Sequence, residues 1–434
     1  MTPRELVDEH GSPLWLVDLD RLRRRVREFR AAWERRFAEV DVAYSYKTNR
    51  LPAILLAVAD EGAAPEVVSY AEYLLAREVA GADGASIVVN GPAKPDRLLQ
   101  RAGEDDALVV VDGANELRRA AAAGVRRVGL RVRVPGVGDD PSRFGIPANE
   151  VADAARAARW LGLDLELLGA HVASTGLRGG LAADRSLAEA VTVAWPPDGS
   201  DRHARAAALL AELARAVEVD TIDLGGGHPA PPALAEHADA VCAALRRSEF
   251  RGRLLLEPGR AIVADAVDLA TAVVAVKRLE DGARCAIVDA GTNLLPGALW
   301  SWPRIEAVEG PGTDPDATLV TGPLCLNVDV LHPEAMLPPL QPVEVHEPQR
   351  RPVLVDKLAR RHADLRTTAA SRWARSVPFA SSSSATGSRQ RPAAASATAS
   401  GSASRRRSMG QRSGCDRLRR TVAAAPVSPS PSPG

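Results

Sequence analysis

The sequence predicts an α/β fold, a (β/α)8 TIM-type barrel followed by a smaller all-β, barrel-like domain. Two observations predict the barrel. Strand-like and helix-like segments alternate eight times over roughly 220 residues, as parallel strands with crossover helices require. The ends of those strands also deliver polar or glycine residues to one rim, where such barrels carry their chemistry. A third observation predicts the second domain: after Gly259-Arg260 the pattern changes to short apolar runs without intervening helices. A doubly wound open sheet is the structural alternative.

Taken in order, a lead-in strand (Leu14–Asp18) precedes an Arg-rich helix over about Leu19 to Glu39. The expected barrel strands are Val40–Tyr46, Pro65–Ser69, Ser86–Asn90, Ala107–Asp112, Arg127–Arg133, Glu166–Ser174, Thr221–Leu224 and Arg253–Glu257. Helical periodicity fills the gaps at Pro52–Asp60, Ala71–Val79, Asn115–Ala123, Glu150–Trp160, Ala204–Val217 and Leu234–Arg246. Gly176 to His203 reads as an insertion at the top of the barrel. Antiparallel strands are expected at Val267–Lys277, Arg284–Asp289, Ala317–Thr321 and Val328–Leu331, with no further strand pattern beyond about Gln341. The organisation expected is therefore a lead-in over residues 1–20 that joins the β domain, a barrel over 21–260, and an incomplete β domain over 261–345. An Arg/Ser/Ala/Pro-rich tail over 346–434 is expected to be disordered. Its composition reads as an altered reading frame rather than an evolved domain.

Composition excludes several classes. The formal net charge is zero, which favours no polyanionic partner, and the arginines of the tail have no aromatics interleaved for nucleic acid. No apolar run is long enough to cross a bilayer and the N-terminus has no signal-peptide core, so a cytoplasmic protein without a membrane partner is expected. Cys242, Cys285, Cys325 and Cys415 are scattered without CxxC pairing, which indicates neither a disulfide framework nor a zinc site. No metal is expected.

Charge in this chain comes from arginine: the only lysines are Lys47, Lys94, Lys277 and Lys357. Lys47 closes the alternating run Val42-Ala43-Tyr44-Ser45-Tyr46, and an amine can attack a carbonyl where a guanidinium cannot. The other strand ends bring Ser69, Asn90, Asp112, Arg131, His171 with Ser174, Gly225-Gly226-Gly227 and Glu257-Pro258-Gly259-Arg260. Three consecutive glycines allow close backbone approach, and Gly259-Arg260 at the adjacent strand end could complete a phosphate cradle. An amine, a phosphate cradle and a carboxylate on one rim fit pyridoxal 5'-phosphate, which needs a lysine and an acidic partner for its pyridine nitrogen.

Six ordered motifs then resemble the fold type III pyridoxal-phosphate decarboxylases, the group of diaminopimelate, ornithine and arginine decarboxylases. They are Tyr46-Lys47-Thr48-Asn49, Ser142-Arg143-Phe144-Gly145, His171-Val172-Ala173-Ser174, Gly225-Gly226-Gly227, Glu257-Pro258-Gly259-Arg260 and Gly322-Pro323-Leu324-Cys325. The resemblance covers about residues 10 to 342 and is closest to the diaminopimelate branch. It implies that Lys47 is the Schiff-base lysine, that His171 stacks on the ring, and that Glu257 pairs with the pyridine nitrogen. It further implies that Ser174, Gly227, Gly259 and Arg260 hold the phosphate, with Gly225 and Gly226 in the same turn. Cys325, supplied by the partner subunit of a homodimer, would protonate Cα, with Asp329 after it and Trp300 expected to bind substrate.

Two departures qualify the resemblance. The family's substrate-binding arginine is missing after Asp289-Ala290-Gly291-Thr292-Asn293, where Leu294 to Trp300 follow, and the acidic residue expected after the cysteine is Leu326. Diaminopimelate is therefore not the expected substrate, and Trp300 and Leu326 suit a less polar one or one carried on another molecule. The family's late tyrosine is also missing, the tyrosines being Tyr44, Tyr46, Tyr70 and Tyr73. The function expected is decarboxylation of an amino acid. The alternatives are an amino-acid racemase on the same barrel, where related alanine racemases place an arginine in the position of Glu257, and a pyridoxal-phosphate-binding homologue without turnover.

Overall fold

The computed structural model describes residues 2–137, 143–172, 200–299, 302–308, 315–340 and the backbone of 353–357. Its first element is helix α1 (Pro3–His10), capped by Thr2 and Glu5 in a reciprocal capping box. Strand β1 (Leu14–Val17) and helix α2 (Leu19–Glu34) follow. Asp18 caps α2 by accepting from the Arg21 amide, and Leu22, Val26, Phe29 and Trp33 form its buried stripe. The helix ends at Glu34 and not at Glu39, because the chain turns there to stack Phe37 on Phe250.

Alternating elements then build the barrel. They are β2 (Val40–Ser45), α3 (Pro52–Asp60), β3 (Ala64–Val67), α4 (Tyr70–Leu74), β4 (Val88–Val89), α5 (Asp96–Glu104) and β5 (Leu108–Val111). After them come α6 (Ala114–Ala122), β6 (Arg127–Arg133), the short β7 (Ile146–Pro147), α7 (Val151–Trp160) and β8 (Asp164–His171). The last turns are α8 (Ser200–Ala216), β9 (Thr221–Gly225), α9 (Leu234–Arg247), β10 (Arg253–Glu257) and α10 (Arg260–Val263). The expected helix Ala71–Val79 is α4 followed by one widened π turn over Leu75–Val79.

All barrel pairings are parallel, in the order β5-β4-β3-β2-β10-β9-β8-β6, and β5 pairs with β6 to close the ring. The closed sheet, not the open one, is the fold. Strand alternation sorts the side chains. Val42, Tyr44 and Tyr46 pack outward against the helices, whereas Ala43 joins Val88, Leu108, Val110, Leu167 and Leu255 in a small cluster inside the ring. The inward set of β2 therefore continues through Ser45 to Lys47, and that of β10 from Leu255 to Glu257.

The second sheet contains β11 (Val267–Arg278), β12 (Arg284–Val288), β13 (Arg304–Ala307), β14 (Asp316–Thr321), β15 (Val330–Leu337) and β16 (Val353–Lys357). Strand β1 pairs antiparallel with the start of β11, Leu14 opposite Ala270, so the lead-in is part of this sheet. Two expectations are corrected. The sheet is not wholly antiparallel, since β12 and β14 run parallel with Cys285 opposite Leu319. Strand structure also does not stop near Gln341: Val353-Leu354-Val355, apolar with two β-branched residues, lies in β16 between β11 and β13. Leu269, Val273, Val288, Val320, Leu331 and Leu337 form the core of this sheet.

Candidate active site

The inward alternation of the strands collects charged groups at the carboxyl end of the barrel. Lys47 lies in the turn directly after β2, where its Nζ donates to Glu66 Oε2 at 2.7 Å and to Ser45 Oγ at 3.1 Å. Ser45 also donates to Glu66 through a short hydrogen bond. Ser45 sits opposite Glu66 in the β2–β3 register, which explains why the three groups meet. Burial works against a charge on Lys47, but Glu66 and Glu257 outweigh it and hold the ammonium above its ordinary pKa.

Glu257 ends β10 and is buried. Asn90, at the end of β4, donates to it at 2.5 Å. Burial pushes the Glu257 carboxyl up to about 7, with the charge of Glu66 adding to the rise and Lys47, Asn90 and Arg131 opposing it. Asp223, inward on β9, is raised well above the carboxylate range by burial and then by Glu257. Arg131 is anchored by Asp112 at 3.0 Å and stacks over Phe144 at 4.5 Å. Burial, then Lys47 and Arg131, keep His171 neutral.

The glycines explain themselves by contact. A Cβ on Gly225 would lie 2.4 Å from Glu257 Oε2 and 3.0 Å from His171 Nδ1. One on Gly226 would lie 2.6 Å from His171 Nε2, and both Gly226 (φ +72) and Gly227 (φ +56) occupy the left-handed region. The turn is thus bare enough for the His171 ring to lie directly over it. Gly259 has a different reason: a Cβ there would meet Thr48 Oγ1 at 2.1 Å, so this glycine lets the loop after Lys47 close on the start of α10. Arg260 follows at the first position of that helix, and burial lowers its pKa to about 10.

Pyridoxal phosphate fits these residues. Glu257 is a buried carboxyl whose side-chain neighbours include two more acids, so a protonated ring nitrogen beside it would relieve an electrostatic conflict visible in the chain itself. The side-chain-free turn at Gly225–Gly227 and the amine of Lys47 lie on the same rim.

Lys47, His171, Gly225, Gly226, Gly227, Glu257, Gly259 and Arg260 therefore all lie at the carboxyl end of the barrel strands. Ser174 and Trp300 lie outside the described residues. Cys325 and Asp329 belong to the loop between β14 and β15 in the other sheet, where Cys325 is exposed. Asp329 is buried there, accepting from the Thr292 amide at 2.7 Å, the Thr292 hydroxyl at 3.0 Å and the Leu324 amide at 2.8 Å. Both its oxygens are thereby committed to the loop that carries Cys325. Ser69, a rim residue in the sequence, caps α4. Sequence reasoning missed Ser45, which an inward period-two count from Lys47 finds, Glu66 and Asp223, which only the neighbouring strands bring inward, and the buried histidines His203, His228 and His237.

A family sequence model described as "Pyridoxal-dependent decarboxylase, pyridoxal binding domain" matches residues 20–196. The chain is 30% identical over 350 residues to a diaminopimelate decarboxylase of Deinococcus radiodurans, covering 77% of this chain and 83% of that one. It is 26% identical over 346 residues to a lysine/ornithine decarboxylase of Selenomonas ruminantium, covering 76% and 81% respectively. Among solved structures, a diaminopimelate decarboxylase from M. jannaschi superposes with a TM-score of 0.68 at 20% identity, covering 82% of this chain and 83% of that one. The chain belongs to the pyridoxal-dependent decarboxylases, on the diaminopimelate decarboxylase branch of that family.

Proposed function

We propose that this pyridoxal-phosphate-dependent amino-acid decarboxylase prefers a substrate whose far end lacks the charged group of diaminopimelate, and that it works as a homodimer. The observation that carries the substrate reading is the loop after β12. Asp289 to Asn293 runs into Leu294, Leu295 and the 3-10 turn Pro296–Leu299, with no arginine, and the residue after Cys325 is the exposed Leu326. A pocket without those ionic partners leaves a charged far end unpaired, at a cost of about 1–3 kcal/mol or more.

Pyridoxal phosphate, when bound, supplies an electron sink for the bond to Cα. The chain's own contribution follows from the rim. Lys47 provides the amine that anchors the cofactor, with Glu66 and Ser45 holding its Nζ in place. His171 covers one face of the ring position above Gly226. Glu257 keeps a proton at the ring nitrogen, while Gly225–Gly227, Arg260 and, by its motif, Ser174 hold phosphate. Cys325, reaching in from a partner subunit, returns a proton to Cα once carbon dioxide has left. Glu257 also supports decarboxylation over racemisation, since a carboxylate there favours a protonated ring nitrogen.

The test is a carbon dioxide-release screen over lysine, ornithine, arginine, diaminopimelate and apolar amino acids with the pyridoxal-loaded chain. Release with kcat/KM for diaminopimelate well below that for another amino acid is expected. Equal or higher efficiency with diaminopimelate overturns the substrate reading, and cofactor absorbance without release from any amino acid favours the binding protein without turnover.

A further inference from the structure

Three buried histidines meet beside the glycine turn. His203 comes from α8, His228 follows Gly227 directly, and His237 comes from α9; they are 0%, 6% and 3% exposed. Their ring centroids are 4.6 Å (His203–His237), 4.8 Å (His203–His228) and 5.5 Å (His228–His237) apart. One nitrogen from each ring lies within 4.8 Å of the other two. Phe29 and Trp33 of α2 wall the cluster edge-on.

The hydrogen bonds fix where two of the three rings carry a proton. His203 Nε2 and His228 Nε2 each contact a backbone carbonyl at 2.9 Å, those of Gly226 and Leu224. A carbonyl only accepts, so both Nε2 atoms carry a proton, and in a neutral His228 ring the lone pair is on Nδ1. His228 Nδ1 and both ring nitrogens of His237 have no hydrogen-bond partner among the described residues. Leaving such groups buried and unsatisfied costs about 1–3 kcal/mol each. Three converging imidazoles, two of which donate their other nitrogen's proton to a backbone carbonyl, are the donor set and part of the supporting shell of a transition-metal site. The cluster contains no carboxylate, which disfavours magnesium or calcium.

We propose that His203, His228 and His237 bind one divalent ion of the zinc class, with an exogenous ligand such as water in the fourth position. Tetrahedral bonds of about 2.1 Å place ligand nitrogens about 3.4 Å apart, so binding draws the three rings together by small side-chain rotations. The ion would brace the turn Gly225–Gly227, because His203 holds the Gly226 carbonyl and His228 is the next residue in the chain. The site is structural: it adjoins the glycine turn of the rim that carries Lys47 and contains none of the residues assigned to the reaction. Its ligands are spread over 35 residues of sequence, counted from His203 to His237, with none of the close pair spacing by which zinc motifs are recognised.

The experiment uses the full-length chain without an affinity tag, loaded with pyridoxal phosphate. Metal content by plasma mass spectrometry should show about one zinc per chain, and cobalt added to the metal-stripped chain should give visible d–d absorption of a nitrogen-ligated tetrahedral ion. His237→Gln should lower zinc affinity by about a hundredfold or more, taken from competition with a chromophoric chelator. Chelation should lower the unfolding midpoint of the parent and not that of His237→Gln. His228→Gln serves as the second variant if His237→Gln fails to fold. A parent chain that takes up no stoichiometric zinc or cobalt, its cluster then holding only water, overturns the proposal. So does a folded variant that binds zinc as tightly as the parent.

Discussion

The chain's scarce lysines have opposite environments. Lys94 is buried, donating to the Gly91 carbonyl at 2.7 Å and to Glu116 at 3.0 Å, and Glu116 in turn accepts from the Asp112 amide. Lys47 is open to the rim and faces an acidic group. We expect Lys94→Ala to cost about 3–5 kcal/mol in urea unfolding, because it strands Glu116, while the cofactor absorbance of the folded fraction persists. Lys47→Ala should abolish covalently held cofactor absorbance and lower kcat by about a thousandfold or more, read from spectra and carbon dioxide release. A pH effect follows from Glu66. Lys47 attacks only as the free amine, and its pKa lies above the usual lysine value, so reloading of the cofactor-free chain should accelerate with rising pH into the alkaline range. Glu66→Gln removes the largest contribution raising that pKa, so the reloading profile should move to lower pH. A profile that stays put or moves upward would show that Glu66 does not control the amine.

At the scale of elements, the site depends on two loops fitting closely. Gly259 admits Thr48, and any Cβ there must displace it. Gly259→Ala should destabilise the chain by about 1–3 kcal/mol in thermal or urea unfolding and weaken cofactor retention. Thr48→Ala in the same chain should recover part of the loss, since it removes the Oγ1 that would sit 2.1 Å away. Additive losses in the double variant would place the strain elsewhere. Asp329 does for the cysteine loop what Thr48 and Gly259 do for the lysine loop: it ties Thr292 and Leu324 together, and Gly291 and Gly322 leave room for its carboxylate.

For the whole molecule, Lys47 belongs to the barrel and Cys325 to the second sheet, on whose surface the cysteine and Leu326 are exposed. If a dimer shares its sites, inactive Lys47→Ala and Cys325→Ala chains mixed under exchange should regain up to about a quarter of parental activity, since half of the dimers then hold one intact site. No recovery in a mixture shown to exchange subunits would mean that each chain completes its own site. Among the described residues no helix is long and apolar enough to cross a membrane.

Strand–helix alternation, the inward period of two and the ordered motifs were sufficient to read the barrel and its rim from sequence, because those signals are local. Lys47 and Glu257 could be singled out because each ends a strand at a fixed phase of that period. The limits of local reading show in β16, whose short apolar run becomes a strand only because β11 and β13 leave it a slot, and in the parallel β12–β14 pair, which no neighbouring turn dictates. Glu66 and Asp223 look like isolated acids until ring closure turns them inward, where low dielectric and mutual repulsion give them their influence on Glu257. The cluster of His203, His228 and His237 is the clearest case, since its members come from two helices and a turn. The sequence by itself determined which residues end the strands. Only tertiary structure decided which of them share a dielectric environment, because distance and burial, which control charge and ligation, arise from packing across the closed ring.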